Sequence, residues 1–421
     1  MQAGDRIRIE RETVTVEGVV LPSSTDEHVV VKRDGGYNVG IDRSDASIEV
    51  LESDVHRIGT DAVDDAGTST VEFDESLPTV SLLSTGGTIA STVDYRTGAV
   101  SPRFDVEDVI RAVPELQGIA NYRGRVVTNI LSENMTPAVW QDLADAIAEE
   151  IAAGADGIVV MHGTDTMQFS ASAIAFMLDT PVPIVFTGSQ RSADRPSSDN
   201  VMNATCAVRT ATADIAEVLV CMHATESDDR CAIHRGTRVR KNHTSRRAAF
   251  ETVGGPPLAS MAWESGDLDI RPGATYEERG DAELTVETDL HTDIELVKFT
   301  PGSDPGRLAA REGDVGVVIE GTGLGHVNAD WLDVVEDLVA SGTDVVMTSQ
   351  CLDGRICDRV YETGRDLLDA GVIEAGNTLP ETALVKLMWA SANVDNVRKV
   401  MGQSLAGELT ARTRPPVDGH S

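Results

Sequence analysis

Three short stretches of this sequence combine small, polar and basic residues in ways that could do chemistry. The first is Leu83-Ser84-Thr85-Gly86-Gly87-Thr88-Ile89-Ala90 and the second is Val160-Met161-His162-Gly163-Thr164-Asp165-Thr166-Met167. Each presents threonines on a glycine turn behind an apolar run, and the second adds a carboxylate. The third, Val239-Arg240-Lys241-Asn242-His243-Thr244, supplies a lysine in a chain that holds only Lys32, Lys241, Lys298, Lys386 and Lys399. A hydroxyl, a carboxylate and an amine together suit hydrolysis of an unactivated amide. A threonine hydroxyl is a poor nucleophile until a base removes its proton. A lysine can be that base if burial depresses its pKa toward neutrality, and a carboxylate can orient it. Backbone N–H groups of the glycine turns and of helix starts could hold the tetrahedral oxyanion.

Taken singly, each stretch has a plainer reading. Gly-Gly-Thr after a strand could be a tight turn with a threonine helix cap, and Gly-Thr-Asp-Thr could be another cap. A lone lysine among arginines is usually a solvated surface residue. Two threonine turns and one scarce lysine in the same chain are explained poorly by those readings. Gly-Gly-Thr also invites a phosphate-loop reading, but neither G-x-x-x-x-G-K-[ST] nor G-x-G-x-x-G occurs at these strands. No Gly-x-Ser-x-Gly elbow follows a strand either, which disfavours an α/β-hydrolase.

The elements that must carry these residues can be read from apolar spacing. In the first 50 residues, Ile7/Ile9, Val14/Val16, Val29/Val31, Val39/Ile41 and Ile48/Val50 alternate with polar neighbours, and glycine- or proline-containing turns separate them. Five short strands predict a small β-barrel over 1–55. Residues 56–77 are acidic and irregular and read as a linker. From 78 onward, buried-type runs at 79–83, 157–161, 183–186 and 218–222 alternate with helical spacing at 165–178 and 200–212. After a polar, acidic stretch at 264–293, a second series follows, with strands at 316–320 and 344–348 and helices at 331–340, 383–390 and 394–403. Alternating strand and helix predicts parallel sheets covered by helices on both faces. In such sheets the carboxyl edge binds ligands, and all three stretches, the Lys241 one included, are read as lying directly after a buried strand at that edge. The predicted class is therefore α/β, with α/β domains over 78–285 and 292–413.

Composition narrows the setting. At 421 residues, 41% of them hydrophobic, the chain can bury more than one core. No apolar run is long enough to span a bilayer, and the first ten residues lack the apolar block of a secretory signal, so a cytoplasmic protein is expected. The five cysteines are scattered, form no CxxC pair and are expected to be reduced thiols rather than metal ligands or disulfides. Acidic residues outnumber Lys and Arg by 69 to 35, giving a net charge of −34 spread along the whole length. That distribution favours adaptation to concentrated salt, where self-repulsion is screened, over an acidic tail. The one dense basic cluster is Arg235, Arg238, Arg240, Lys241, His243, Arg246 and Arg247. It could neutralise acidic neighbours or serve a site or partner surface.

The paired motifs Thr85-Gly86-Gly87-Thr88-Ile89-Ala90 and His162-Gly163-Thr164-Asp165-Thr166 resemble the two threonine signatures of the L-asparaginase/glutaminase family, over roughly 78–410. A small β domain ahead of them, Asp94-Tyr95-Arg96-Thr97-Gly98 after the first threonine, and the run 191–199 make the chain most similar to the glutaminase subunits of tRNA-dependent amidotransferases. The resemblance implies an asparaginase-like two-domain fold with Thr88 as nucleophile and Tyr95 assisting it from a loop. It implies that Thr164 pairs with Lys241, with Asp165 orienting them, and that Gly87 and Gly163 line the substrate. Ser132 and Glu133 would hold the backbone end of the amino-acid substrate. Glu133 departs from the amide usual in bacterial asparaginases, and its carboxylate would pair with the substrate's ammonium. No cofactor or metal is expected on this chain. ATP and Mg would be used through a partner subunit of the E type, which would also make most contacts to tRNA(Gln), around a homodimeric core. A free cytoplasmic L-asparaginase is the alternative within the family. A non-catalytic binding protein on the same fold is disfavoured because every matched position is filled.

Overall fold

The computed structural model describes residues 1–412, apart from 3, 12–13, 22–27, 34–37, 54, 56–59, 62–68, 72–73, 87–90, 95–98, 103–108, 111–112, 193–194, 196 and 358. The first five strands are β1 (Arg6–Arg11), β2 (Val14–Leu21), β3 (His28–Lys32), β4 (Asn38–Asp42) and β5 (Ser47–Glu52). They form one antiparallel sheet in the order β4-β3-β2-β1-β5. The alternation read from the sequence places Ile7, Ile9, Val16, Val29, Val31 and Ile41 on one face, where they form a separate small core. The expected small β domain is present as this antiparallel sheet, in which the chain returns to pair β5 with β1; among the described residues no ladder joins β4 to β5.

The stretch read as a linker is partly strand. Thr60–Asp61 and Ser69–Val71 pair with each other, and the latter adds to the edge of the main sheet. That sheet has ten strands. Its centre is parallel: β6 (Thr79–Ser84) lies between Asn121–Val126 and β7 (Gly157–Met161), followed by β8 (Ile184–Thr187) and β9 (Val218–His223). Beyond β9 the strands Arg230–Arg235, Ala259–Ala262 and Leu268–Ile270 run antiparallel. The sheet is thus mixed, with its parallel part where both faces are covered.

Residues of the central strands alternate between two cores. Leu83, Val160 and Phe186 pack against α1 (Pro137–Ala152) and α2 (Met167–Met177), while Leu82, Val159 and Val185 pack against α3 (Asn200–Ala211). The second series forms a four-stranded parallel sheet, Ile294–Lys298, Gly316–Gly321, Asp344–Ser349 and Ile373–Glu374. Its helix α4 (Pro380–Asn393) shares the first core with α2, and Phe176 stacks on Trp389 across that seam at 6.4 Å. Among the described residues no helix is long and apolar enough to cross a membrane.

Candidate active site

The site is assembled at the carboxyl ends of β6 and β7. Past β6, Thr85 is bound on both sides: its N–H donates to the Met161 carbonyl at 3.1 Å and its carbonyl accepts from Ile130 N–H at 3.1 Å. Gly86 follows with φ of 109°, and a Cβ there would fall 2.3 Å from the Ile130 oxygen. Only glycine fits that left-handed, crowded position. Gly87, Thr88 and Tyr95 lie outside the described residues.

Past β7, the chain presents Gly163, Thr164 and Asp165. A Cβ on Gly163 would lie 2.6 Å from the Ser132 Cβ, so its lack of side chain lets the turn holding Ser132 close against this one. That turn, Ser132–Asn134, is fastened by Thr166 Oγ1 donating to the Ser132 carbonyl at 2.9 Å. Ser132 Oγ donates to Asp165 Oδ2 at 3.2 Å, and Glu133 beside it is exposed.

Lys241 arrives from a different direction than the sequence suggests. It does not sit on a turn at the carboxyl end of a parallel strand but on a separate pair of strands, three residues after the antiparallel main-sheet strand Arg230–Arg235. It ends β10 (Val239–Lys241), which pairs with β11 (Phe250–Thr252) in a separate two-stranded antiparallel hairpin. The strand before it, Arg230–Arg235, runs antiparallel to β9 and ends opposite Leu219, near the start of β9. Lys241 Nζ donates to Thr164 Oγ1 at 2.8 Å and to Asp165 Oδ1 at 2.6 Å. The Lys241 hydrogen bond is the main cause holding the Asp165 carboxyl below its ordinary range, helped by the lysine charge and Ser132 against partial desolvation. Thr164, Asp165, Lys241, Ser132 and Gly163 thus converge: a hydroxyl, an ammonium and a carboxylate in mutual hydrogen-bond reach.

His162, behind Thr164, is a residue that sequence reasoning does not single out. Its side chain is buried, its Nδ1 lies 2.6 Å from the Gly163 carbonyl, and burial pushes its pKa down to about 4. It is neutral near pH 7, with Nδ1–H donating to that carbonyl and helping to set the turn. The only sequence signal for it is its position inside the Gly-Thr-Asp motif.

The basic cluster divides into local pairs. Arg235 binds Glu217 at 2.6 Å, Arg240 faces Glu381 at 3.6 Å, Arg246 lies between Glu226 and Glu251, and Arg247 binds Asp228. Arg238 is buried and donates to the carbonyls of Val253, Asn377 and Glu408. His243 Nδ1 accepts the N–H groups of Ser245 and Arg246. Neutralisation of neighbours accounts for Arg235, Arg240, Arg246 and Arg247, Arg238 instead ties three main-chain carbonyls together, and Lys241 is the residue of this cluster that reaches the threonine site.

Comparison with known proteins bears on the same residues. The family model described as Asparaginase, N-terminal matches 79–274, and that of the Glutaminase/Asparaginase C-terminal domain matches 293–401. The thermostable L-asparaginase from Thermococcus kodakarensis is 31% identical with a TM-score of 0.71, covering 79% of this chain and 100% of its own. An L-asparaginase I from Vibrio cholerae is 28% identical with a TM-score of 0.68, covering 79% and 99%. Fold and site together are thus of the asparaginase class. The GatD N-terminal domain model matches 1–51, the span of the first antiparallel sheet. The D-type subunit of glutamyl-tRNA(Gln) amidotransferase from Halobacterium salinarum is 66% identical over 98% of both chains, and that from Methanosarcina mazei is 50% identical over 97% and 98%. The chain belongs to this family of D-type glutamyl-tRNA(Gln) amidotransferase subunits.

Proposed function

We propose that this chain is the glutaminase subunit of the amidotransferase that converts Glu-tRNA(Gln) to Gln-tRNA(Gln). The observation that carries the reading is the Thr164–Lys241–Asp165 cluster on an asparaginase fold whose N-terminal sheet and full length match the D-type subunits. Thr88 attacks the side-chain carboxamide carbon, with Tyr95 assisting and Gly87 and Gly163 donating backbone N–H groups to the oxyanion. The tetrahedral adduct expels ammonia, taking a proton onto the leaving nitrogen, and leaves an acyl ester on Thr88. Water activated by the Thr164–Lys241 pair then releases the acid. Ser132 and Glu133 hold the amino-acid end of the substrate, the carboxylate of Glu133 facing its ammonium.

The ammonia passes to a partner subunit of the E type, which uses ATP and Mg to activate the glutamyl group and makes most contacts to tRNA(Gln). This chain binds no cofactor of its own, forms the homodimeric core of the complex and works in the cytoplasm. The domains fall at 1–55, 78–285 and 292–413, joined through the acidic stretch 56–77. The competing reading, a free L-asparaginase, leaves the N-terminal sheet without a task. That sheet is fixed to the catalytic part by Lys32, whose Nζ lies 2.5 Å from Glu115.

Ammonia release from glutamine and from asparagine, measured at molar salt with and without partner subunit and tRNA(Gln), tests the proposal. Stimulation by partner and tRNA supports it. Full asparaginase activity indifferent to both would return the chain to the free hydrolases.

A further inference from the structure

Helix α3 packs on the sheet through Met202, Cys206, Ala207 and Ala211, and it buries two amides completely, Asn200 at its start and Asn203 one turn on. Both ends of the Asn203 amide are engaged. Nδ2 donates to the Gly188 carbonyl at 2.9 Å and to Asp199 Oδ2 at 3.0 Å. Oδ1 faces His223 Nδ1 at 2.6 Å and the Cys231 thiol at 3.5 Å. Because Nδ2 meets two acceptors, Oδ1 must accept, so His223 carries its proton on Nδ1. Asp199 is itself held by the N–H groups of Gln190 and Arg191, and His223 by Asp228 at 3.3 Å. Burying such a network is costly unless every member is satisfied, and an apolar side chain at 203 would fill the space without it. The network therefore asks for a task beyond packing.

Gly188 supplies one. It follows β8 directly, and a Cβ there would lie 2.6 Å from the His162 oxygen and 3.0 Å from Thr164 Cγ2. The Thr164 methyl thus occupies the space that a side chain at 188 would take, beside the bare Gly188 backbone. A β-branched side chain has few rotamers, so a methyl fixed on one side sends the hydroxyl to the other. For Thr164 that other side is Lys241 Nζ, 2.8 Å away.

We propose that Asn203 is a positioning residue for amide hydrolysis: it holds the Gly188 carbonyl so that the Gly188 backbone seats the Thr164 methyl and fixes the Thr164 hydroxyl on Lys241. The inference rests on the reading in which the Thr164–Lys241 pair takes part in the reaction. Misplacing a reacting group by about 1 Å can cost on the order of 100-fold in rate. Asn203→Ala should therefore lower kcat for glutamine hydrolysis by roughly 10- to 100-fold while KM stays within about twofold.

The deciding experiment places the same change in a Thr164→Ser background, using the complex with its partner subunit and tRNA(Gln). Serine keeps the hydroxyl and has no methyl to be guided, so Asn203→Ala should cost little further there. An equal fall in kcat in both backgrounds, or a rise in KM alone, would overturn the inference. If Asn203→Ala does not fold, His223→Leu and His223→Gln replace it. Leucine strands the Asn203 oxygen and should lower kcat only when the Thr164 methyl is present; glutamine, which can donate, should restore it. Loss of the same size in both variants and both backgrounds would overturn the inference equally. Thr164→Val separates this failure from failure of the underlying reading. An active Thr164→Val enzyme removes the role of Thr164 itself, whereas an inactive one with background-independent Asn203 effects removes only the positioning role.

Discussion

Thr164 Oγ1 and Lys241 Nζ lie 2.8 Å apart although 77 residues separate them in the chain. One sits on a turn of the main sheet and the other on a hairpin outside it, so their meeting is a product of the tertiary fold. We expect Lys241→Ala and Thr88→Ala each to abolish amide hydrolysis while leaving the melting temperature within a few degrees. Residues acting as one unit do not add, so the double variant should be about as inactive as either single one. Near-normal ammonia release from Thr88→Ala would remove the nucleophile assignment.

Coupling to the acceptor gives a second expectation. A subunit that feeds ammonia to a partner gains from idling until charged tRNA is present, and closing a loop over the nucleophile is a physical means of doing so. Isolated chain should therefore show low glutaminase activity that rises strongly with partner and tRNA(Gln). Tyr95→Phe should blunt that rise more than it weakens glutamine binding, as steady-state kinetics with and without tRNA would show. An undiminished rise in this variant would take Tyr95 out of the coupling.

Two buried histidines set an acid limit. Burial pushes both His162 and His234 from 6.5 to about 4. Below pH 6.5 the unfolded chain takes up protons that the folded chain refuses, so each histidine removes stability as pH falls toward 4. The loss approaches roughly 3 kcal/mol apiece by linkage. Unfolding free energy measured at constant salt from pH 7 to pH 4 should decline, and His234→Gln should flatten that decline. The same slope in the variant would contradict the assignment.

Charge gives a further test. With a net charge of −34, the fold is strained by its own repulsion when counter-ions are scarce. Circular dichroism melting should show the transition temperature falling as salt is reduced from molar to tens of millimolar. A constant melting temperature across that range would refute adaptation to salt.

Much of this architecture is legible in the residues themselves. Fully buried parallel strands such as Gly157–Met161 are short, apolar and bounded by glycine, and they appear where the sequence puts them. The five N-terminal strands follow from period-two alternation, because one face is buried. The Lys241 hairpin is not legible as such: its strands have three residues each, too few to show a period, and its partner lies beyond a loop. Helix Pro137–Ala152 carries its start signals, a Thr136 cap accepting from Val139 N–H and a proline at the first turn. The Asn203 network cannot be read at all, since it joins residues from one helix, two strands and two loops that no local pattern relates.

The last described residues hold another buried pair. Lys386 and Glu408 meet at 2.6 Å with no solvent access to either, and the Glu408 main chain also receives Arg238, three residues before Lys241. An unpaired charge in that position is strongly unfavourable. Glu408 thus supplies the counter-charge of Lys386 and one of the three carbonyls that anchor Arg238. Removing either charge of that pair would therefore reach the strand that carries Lys241 through Arg238, three residues away, although neither Lys386 nor Glu408 lies in the threonine site.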